Sequence, residues 1–220
     1  MKGRLITAKM IVGFKEHLIL EERSTATIQK YIRDVKAFAE YARLCQAAQR
    51  RHNERLNLIL QSICGTGIRV SELQFITVEA AKCGEAVVRC KGKTRAVFIV
   101  RELRQKLLRY AAKQNIQSGM IFVTRTGKPI SRTNIWREMK ALCVEADVNP
   151  QKVFPHNLRH LFARVFYGIE KDIAKLADIL GHSSINTTRI YNLHRHGTPP
   201  PDGNYAPDPM KKAAHSAAGT

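Results

Sequence analysis

Residues 85–100 read Glu85-Ala86-Val87-Val88-Arg89-Cys90-Lys91-Gly92-Lys93-Thr94-Arg95-Ala96-Val97-Phe98-Ile99-Val100, and their period differs from that of the segments around them. Two apolar, β-branched runs, Ala86–Val88 and Val97–Val100, flank a short basic stretch with glycine in it. That pattern predicts a β-hairpin with a basic tip. On both sides the apolar residues return at three- and four-residue steps, the signature of helices with one buried face. Helices are expected upstream over 8–20 and 25–44, and through Leu56, Leu58, Ile59, Leu60 and Ile63 to a stop at Gly65-Thr66-Gly67. Downstream they are expected over 101–113, 133–146, 157–168, 172–180 and 184–191. The fold class is therefore mainly α with a small antiparallel β-sheet, an α+β domain.

In the second helix Ile28, Tyr31, Ile32, Val35, Phe38, Ala39 and Ala42 mark the apolar face, and Ser24 is placed to cap it. Lys30, Arg33 and Lys36 fall on the other side, either as a solvated face or as contacts to a polyanion. A polar junction, Gln49–Asn53, separates this helix from the next. From Asn192 onward five of the eight prolines crowd into the chain beside Gly197, Gly203 and Gly219, so the tail is expected to be disordered.

The 220 residues carry 37 Lys and Arg against 18 Asp and Glu, a formal charge of +19 that calls for a polyanionic partner. With 44% hydrophobic residues the chain can bury a core, which excludes wholesale disorder. No apolar run approaches the ~20 residues of a spanning helix. The first residues make no convincing signal peptide. The five cysteines are scattered without a CxxC pair, which argues against a disulfide framework or a zinc motif and fits a reducing cytoplasm.

Several polar residues sit at the ends of these elements. Arg69 follows the glycine turn, Lys91 is at the hairpin tip, and His156 and Arg159 share a face of a helix that Pro155 helps start. His182 follows Gly181, and Tyr191 comes nine residues later. Each alone also fits a bland role: a surface cation, a helix cap, a core aromatic with its hydroxyl at the rim. Ile185 and Ile190 read as core, and His160 as support for its helix.

Taken in order, GTGIRVSEL (65–73), CKGKTR (90–95), HNLRH (156–160) and LGHSSINTTRIY (180–191) resemble the tyrosine recombinases, the phage-integrase family, and within it the integrases of conjugative transposons. The resemblance implies a catalytic domain over 47–191, preceded by a partial helical DNA-clamping arm over 1–46 and followed by a tail over 192–220. It also implies the chemistry of each residue type. A phosphodiester repels nucleophiles, and its transition state loads charge onto the non-bridging oxygens. The rigid forks of Arg69 and Arg159 would hold those oxygens. Tyr191 would be the nucleophile, forming a 3′-phosphotyrosyl link, with His156 as base and Lys91 as the acid for the departing 5′-oxygen. His182 would hydrogen-bond the scissile phosphate. Lys93 is the alternative to Lys91 and, with Lys30, Arg33 and Lys36, a candidate DNA contact. Such a reaction needs no metal, cofactor or ATP, and the sequence has no GxxxxGK[ST] loop.

The implied partner is double-stranded DNA in a bacterial cytoplasm, with site-specific recombination or integration as the activity. Two rivals stay open: relaxation of DNA in the manner of a type IB topoisomerase, and a non-catalytic DNA-binding remnant. The arm is expected to be shorter than the family's. Pro199-Pro200-Pro201 is expected to exclude the family's docking helix after the tyrosine, which leaves self-association on DNA open.

Overall fold

The computed structural model describes residues 6–90, 92–182 and 184–193. Among these are nine α-helices and one two-stranded antiparallel hairpin. α1 (Ala8–Leu20) is capped by the Thr7 side chain, which accepts from the Met10 amide. α2 (Thr25–Arg50) is capped by Ser24, as the sequence suggests. It runs six residues past the expected end because Leu44, Cys45, Ala47 and Ala48 carry its buried stripe onward. The fully buried methyls of Ala47 and Ala48 leave room for the next helix to approach closely.

α3 (Glu54–Thr66) starts at Asn53, whose side chain accepts from the Leu56 amide, and it is the centre of the molecule. Leu56, Leu58, Ile59, Leu60 and Ile63 are all buried there. It ends where Gly67 turns left-handed at φ 67°, and a Cβ at Gly67 would lie 2.5 Å from the Phe162 ring. Glycine is required at this position both by conformation and by space.

A 3-10 turn (Val70–Phe75) and a short helix α4 (Val78–Cys83), neither expected from the period, lead into the hairpin. β1 (Glu85–Cys90) and β2 (Lys93–Phe98) pair from Glu85↔Phe98 to Cys90↔Lys93. Ala86, Val88 and Val97 face the core, while Val87 and Phe98 face outward. α5 (Arg101–Lys113) matches its expected range. The stretch after it has no period, yet Ile121, Phe122 and Ile130 insert into the core beside two isolated bridges, Thr77↔Met120 and Val123↔Pro129. α6 (Arg132–Leu142) stops four residues short of its expected end, where the chain turns through Asp147 at φ 49°.

α7 (Pro155–Glu170), α8 (Ile173–Leu180) and α9 (Ile185–Leu193) complete the fold. A small second cluster, Ala163, Leu176 and Leu180 with Phe162, Phe166 and Tyr167, ties α7 to α8. One expectation fails: Ile185 is 44% exposed, because it opens α9 at a turn instead of facing the core. The stripe on α2 is also only partly used. Ala39 is buried, but Tyr31 and Phe38 stay exposed. Lys91 and the tail from residue 194 lie outside the described residues, and for Ile190 only the backbone of α9 is described. No described helix is long and apolar enough to cross a membrane.

Candidate active site

The last carbonyls of a helix have no partner within it and carry the negative end of its dipole. At the end of α8 three consecutive carbonyls are each taken by a different arginine. Arg95 Nη1 donates to Ile179 O at 2.6 Å. Arg159 Nη2 donates to Leu180 O. Arg69 Nη2 donates to Gly181 O at 3.1 Å. Arg159 Nη1 also donates to Gly67 O, the left-handed turn that closes α3. Two glycine turns distant in sequence therefore hold the guanidinium of Arg159, which is 2% exposed, while Arg69 is half-exposed.

Three guanidiniums at one point repel one another, and a carboxylate offsets this. Glu72, 2% exposed, accepts from the Arg69 amide at 2.9 Å and from its Nη1 at 2.7 Å, and from Arg95 Nη2 at 2.5 Å. Burial alone would raise its carboxyl, but the bonds from the Arg69 amide and side chain and the charge of Arg95 outweigh burial and hold it below the ordinary range. Glu72 stays ionised.

His182 sits beside this cluster. Its Nε2 lies 3.3 Å from Arg159 Nη2, and its Nδ1 lies 2.8 Å from Thr188 Oγ1. A guanidinium can only donate, so Nε2 accepts and Nδ1 of the neutral ring carries the proton toward the hydroxyl. Thr188 is fully buried on α9, one turn before Tyr191, so this bond ties the helix of the tyrosine to the cluster. Burial, then Arg159, Arg69 and Arg95, push His182 down to about 3. His156, on the first turn of α7, is exposed and stacks edge-on against His160 with centroids 4.4 Å apart. Desolvation by its surroundings, then Arg159, Arg132 and Arg69, push it down to about 4. Both rings are neutral at pH 7.

Of the residues singled out in the sequence, the structure brings together Arg69, Arg159, His182 and His156. Tyr191 is placed by the backbone of α9 and Lys93 by that of β2, while Lys91 lies outside the described residues. Lys30, Arg33 and Lys36 stand on α2, which contributes no side chain to the described cluster. Arg33 and Lys36 are exposed and Lys30 is half-buried. Sequence reasoning misses Glu72, Arg95, Thr188 and the α8 carbonyls. Glu72 has a local signal, an acid three residues after Arg69. The other three have none, since their roles depend on partners 6 to 112 residues away.

No described residues form a group of three or more His, Cys, Asp or Glu able to hold a metal ion. The arrangement offers a dense positive charge on a row of backbone carbonyls, with two neutral imidazoles at its edge. It suits an anion with several oxygens, such as a phosphodiester.

The sequence profile of the Phage integrase family matches residues 36–197. The chain is 36% identical over 145 residues to the tyrosine recombinase XerH of Campylobacter jejuni, a match spanning 62% of this chain and 40% of that one. The crystal structure of XerA recombinase superimposes with a TM-score of 0.60 at 25% identity, covering 100% of this chain and 86% of that one. The Tn1549 transposon integrase, solved with circular intermediate DNA, matches at a TM-score of 0.57 and 15% identity, covering 88% of this chain and 82% of that one, and it shows the fold alone. The chain spans about half the length of the curated relatives it matches.

Proposed function

Because the chain belongs to the phage integrase family, we propose that it is a site-specific tyrosine recombinase that cuts and rejoins double-stranded DNA through Tyr191. One observation carries the reading: a single helix end gathers Arg69 and Arg159, 90 residues apart in sequence, beside His182, which Thr188 links to the helix of Tyr191.

In this reading the two arginines leave their carbonyl partners for the non-bridging oxygens, whose growing charge they are better placed to meet than water. The Tyr191 oxygen attacks phosphorus, a P–O bond to tyrosine forms, and the P–O5′ bond breaks. The tyrosine proton goes to neutral His156, and Lys91 gives a proton to the departing 5′-oxygen. The 3′-phosphotyrosyl ester keeps the bond energy, so a second 5′-hydroxyl reverses the step without ATP. Of the two lysines at the hairpin tip we assign the acid to Lys91, with Lys93, Lys30, Arg33 and Lys36 as phosphate contacts.

Residues 1–46 serve as the DNA-clamping arm and 47–191 as the catalytic unit of a DNA-associated cytoplasmic protein, and self-association on DNA stays open. α2 passes unbroken through residues 46 and 47, so arm and catalytic unit would move as one body at that point.

The test is a nicked suicide substrate run on a denaturing gel. The parent protein should give a covalent protein–DNA band, and Tyr191→Phe should lose it while keeping DNA affinity. A denaturant-stable adduct in the variant sinks the assignment. Recombinant junctions against relaxed circles then separate recombinase from relaxing enzyme.

A further inference from the structure

Arg95 has no part in the reaction just described, yet its side chain is anchored at two points outside the hairpin. It projects from β2 opposite Val88 and is 11% exposed. One nitrogen bonds Glu72 Oε2 at 2.5 Å, in the 3-10 turn that follows Arg69, and another bonds Ile179 O at 2.6 Å, at the end of α8. Its stem runs under the next turn: a Cβ on Gly181, whose φ is +63°, would lie 2.6 Å from Arg95 Cδ. A single guanidinium thus joins the hairpin, the carboxylate that steadies Arg69, and the carbonyl row that holds Arg69 and Arg159.

A hairpin of two strands is marginal by itself, so its aim depends on what ties it to the rest. The inner face of this one is held by small and β-branched side chains, Ala86, Val88 and Val97, which fix its depth but provide no directional bond. Arg95 adds the direction. The strands end at the pair Cys90↔Lys93, and Lys91 lies four residues before Arg95 in the sequence. Arg95 also keeps a hold on Glu72 when Arg69 turns toward a phosphate, since Arg69 Nη1 uses Oε1 and Arg95 uses Oε2.

We propose that Arg95 is a positioning residue that registers the basic hairpin, and with it the acid Lys91, against the arginine cradle around the scissile phosphate. This rests on the assignment of Lys91 as the acid for the 5′-oxygen. Its consequence is specific to the leaving group. Loss of Arg95 should weaken protonation of the departing oxygen more than it weakens the hold on the phosphate.

A substrate whose bridging 5′-oxygen is replaced by sulfur reads that difference. Its P–S bond breaks to give a thiolate, which needs no proton to leave. Suicide cleavage is measured on the oxygen and the sulfur DNA for the parent, Lys91→Ala, Arg95→Met and Arg95→Lys, after DNA affinity has shown each to be folded. Arg95→Met keeps the unbranched stem and should cut the oxygen DNA about 100-fold more slowly, the cost of an ångström of misplacement, and the sulfur DNA near the parent rate. Arg95→Lys keeps the charge without the fork and should fall between; if Arg95→Met does not fold, the same comparison on Arg95→Lys decides.

Equal loss on both substrates, or loss on neither, overturns the proposal. If sulfur fails to rescue Lys91→Ala, the acid assignment itself is wrong. If it rescues Lys91→Ala but not the Arg95 variants, the acid assignment stands and the role of Arg95 does not.

Discussion

α1 and α3 are both thirteen residues long, and both start with a side-chain cap, but they are held in place by different forces. α3 buries eight of its residues, including five large aliphatic side chains, between α2, α5, α6 and α7. α1 buries only Leu18, against α2, and leaves Met10, Val12, Ile19 and Leu20 more than half exposed. The first half of α2 shares this condition, with Tyr31 and Phe38 open to solvent and an ion pair from Asp34 to Arg164 as its tie to α7. A period of 3.6 makes a helix amphipathic. It does not supply the surface that covers the apolar face. The apolar side chains of the arm are thus left largely uncovered, whereas those of the centre are buried on all sides.

The largest test of this contrast is to delete the same methyl groups in both helices. Leu60→Ala in α3 should cost about 4 kcal/mol, since its close-packed neighbours cannot collapse into the space. Leu18→Ala should cost about 2 kcal/mol or less, because the loosely covered arm can relax. Urea unfolding of both variants checks the order, and equal losses would mean that the arm is packed as tightly as the centre.

Next in size is Glu72→Gln, which leaves Arg69 and Arg95 without their shared anion and should destabilise the fold by about 3 kcal/mol. It should also slow cleavage, which no change in the arm of similar energetic cost should do through chemistry. A variant with parent stability would show that water or the α8 carbonyls suffice for both arginines.

The acid response should also come from the centre. His156 and His182 are held below their ordinary pKa, so between about 6.5 and 4 the unfolded chain binds more protons than the folded one. Stability should be full above pH 6.5 and fall as the pH drops toward 4, with the slope reduced in His182→Asn. A pH-independent urea midpoint over that window would remove the two imidazoles from the cluster.

The smallest effect on stability belongs to the arm. Lys30, Arg33 and Lys36 changed together to Ala should shift unfolding by no more than about 0.5 kcal/mol. The same change should flatten the dependence of log affinity on log salt by about 0.9 for each phosphate that is no longer neutralised. An unchanged salt slope would return these residues to a solvated face.

The sequence alone located most of the elements and marked a candidate set of site residues. Apolar spacing located most of the helices, the change of period at 85–100 located the hairpin, and Ser24 and the glycine turn at 65–67 fit their ends, because all of these act within a few residues along the chain. Arg69, Arg159, His156 and His182 were legible for a different reason: their order matches a family, and their side chains have few other uses at element ends. Tertiary structure decided the rest. Whether a stripe is buried depends on a partner surface, so α2 could lose Tyr31 and Phe38 to solvent and keep Leu44 and Ala47. Nothing local to Ile179, Leu180 or Gly181 says that their carbonyls will each meet an arginine. Nor does anything near Arg95 or Thr188 mark them as struts of the cluster. Those bonds form because packing of α3, α7 and α8 brings distant backbone and side chains to one point, and backbone carbonyls, which every residue carries, leave no trace in the sequence.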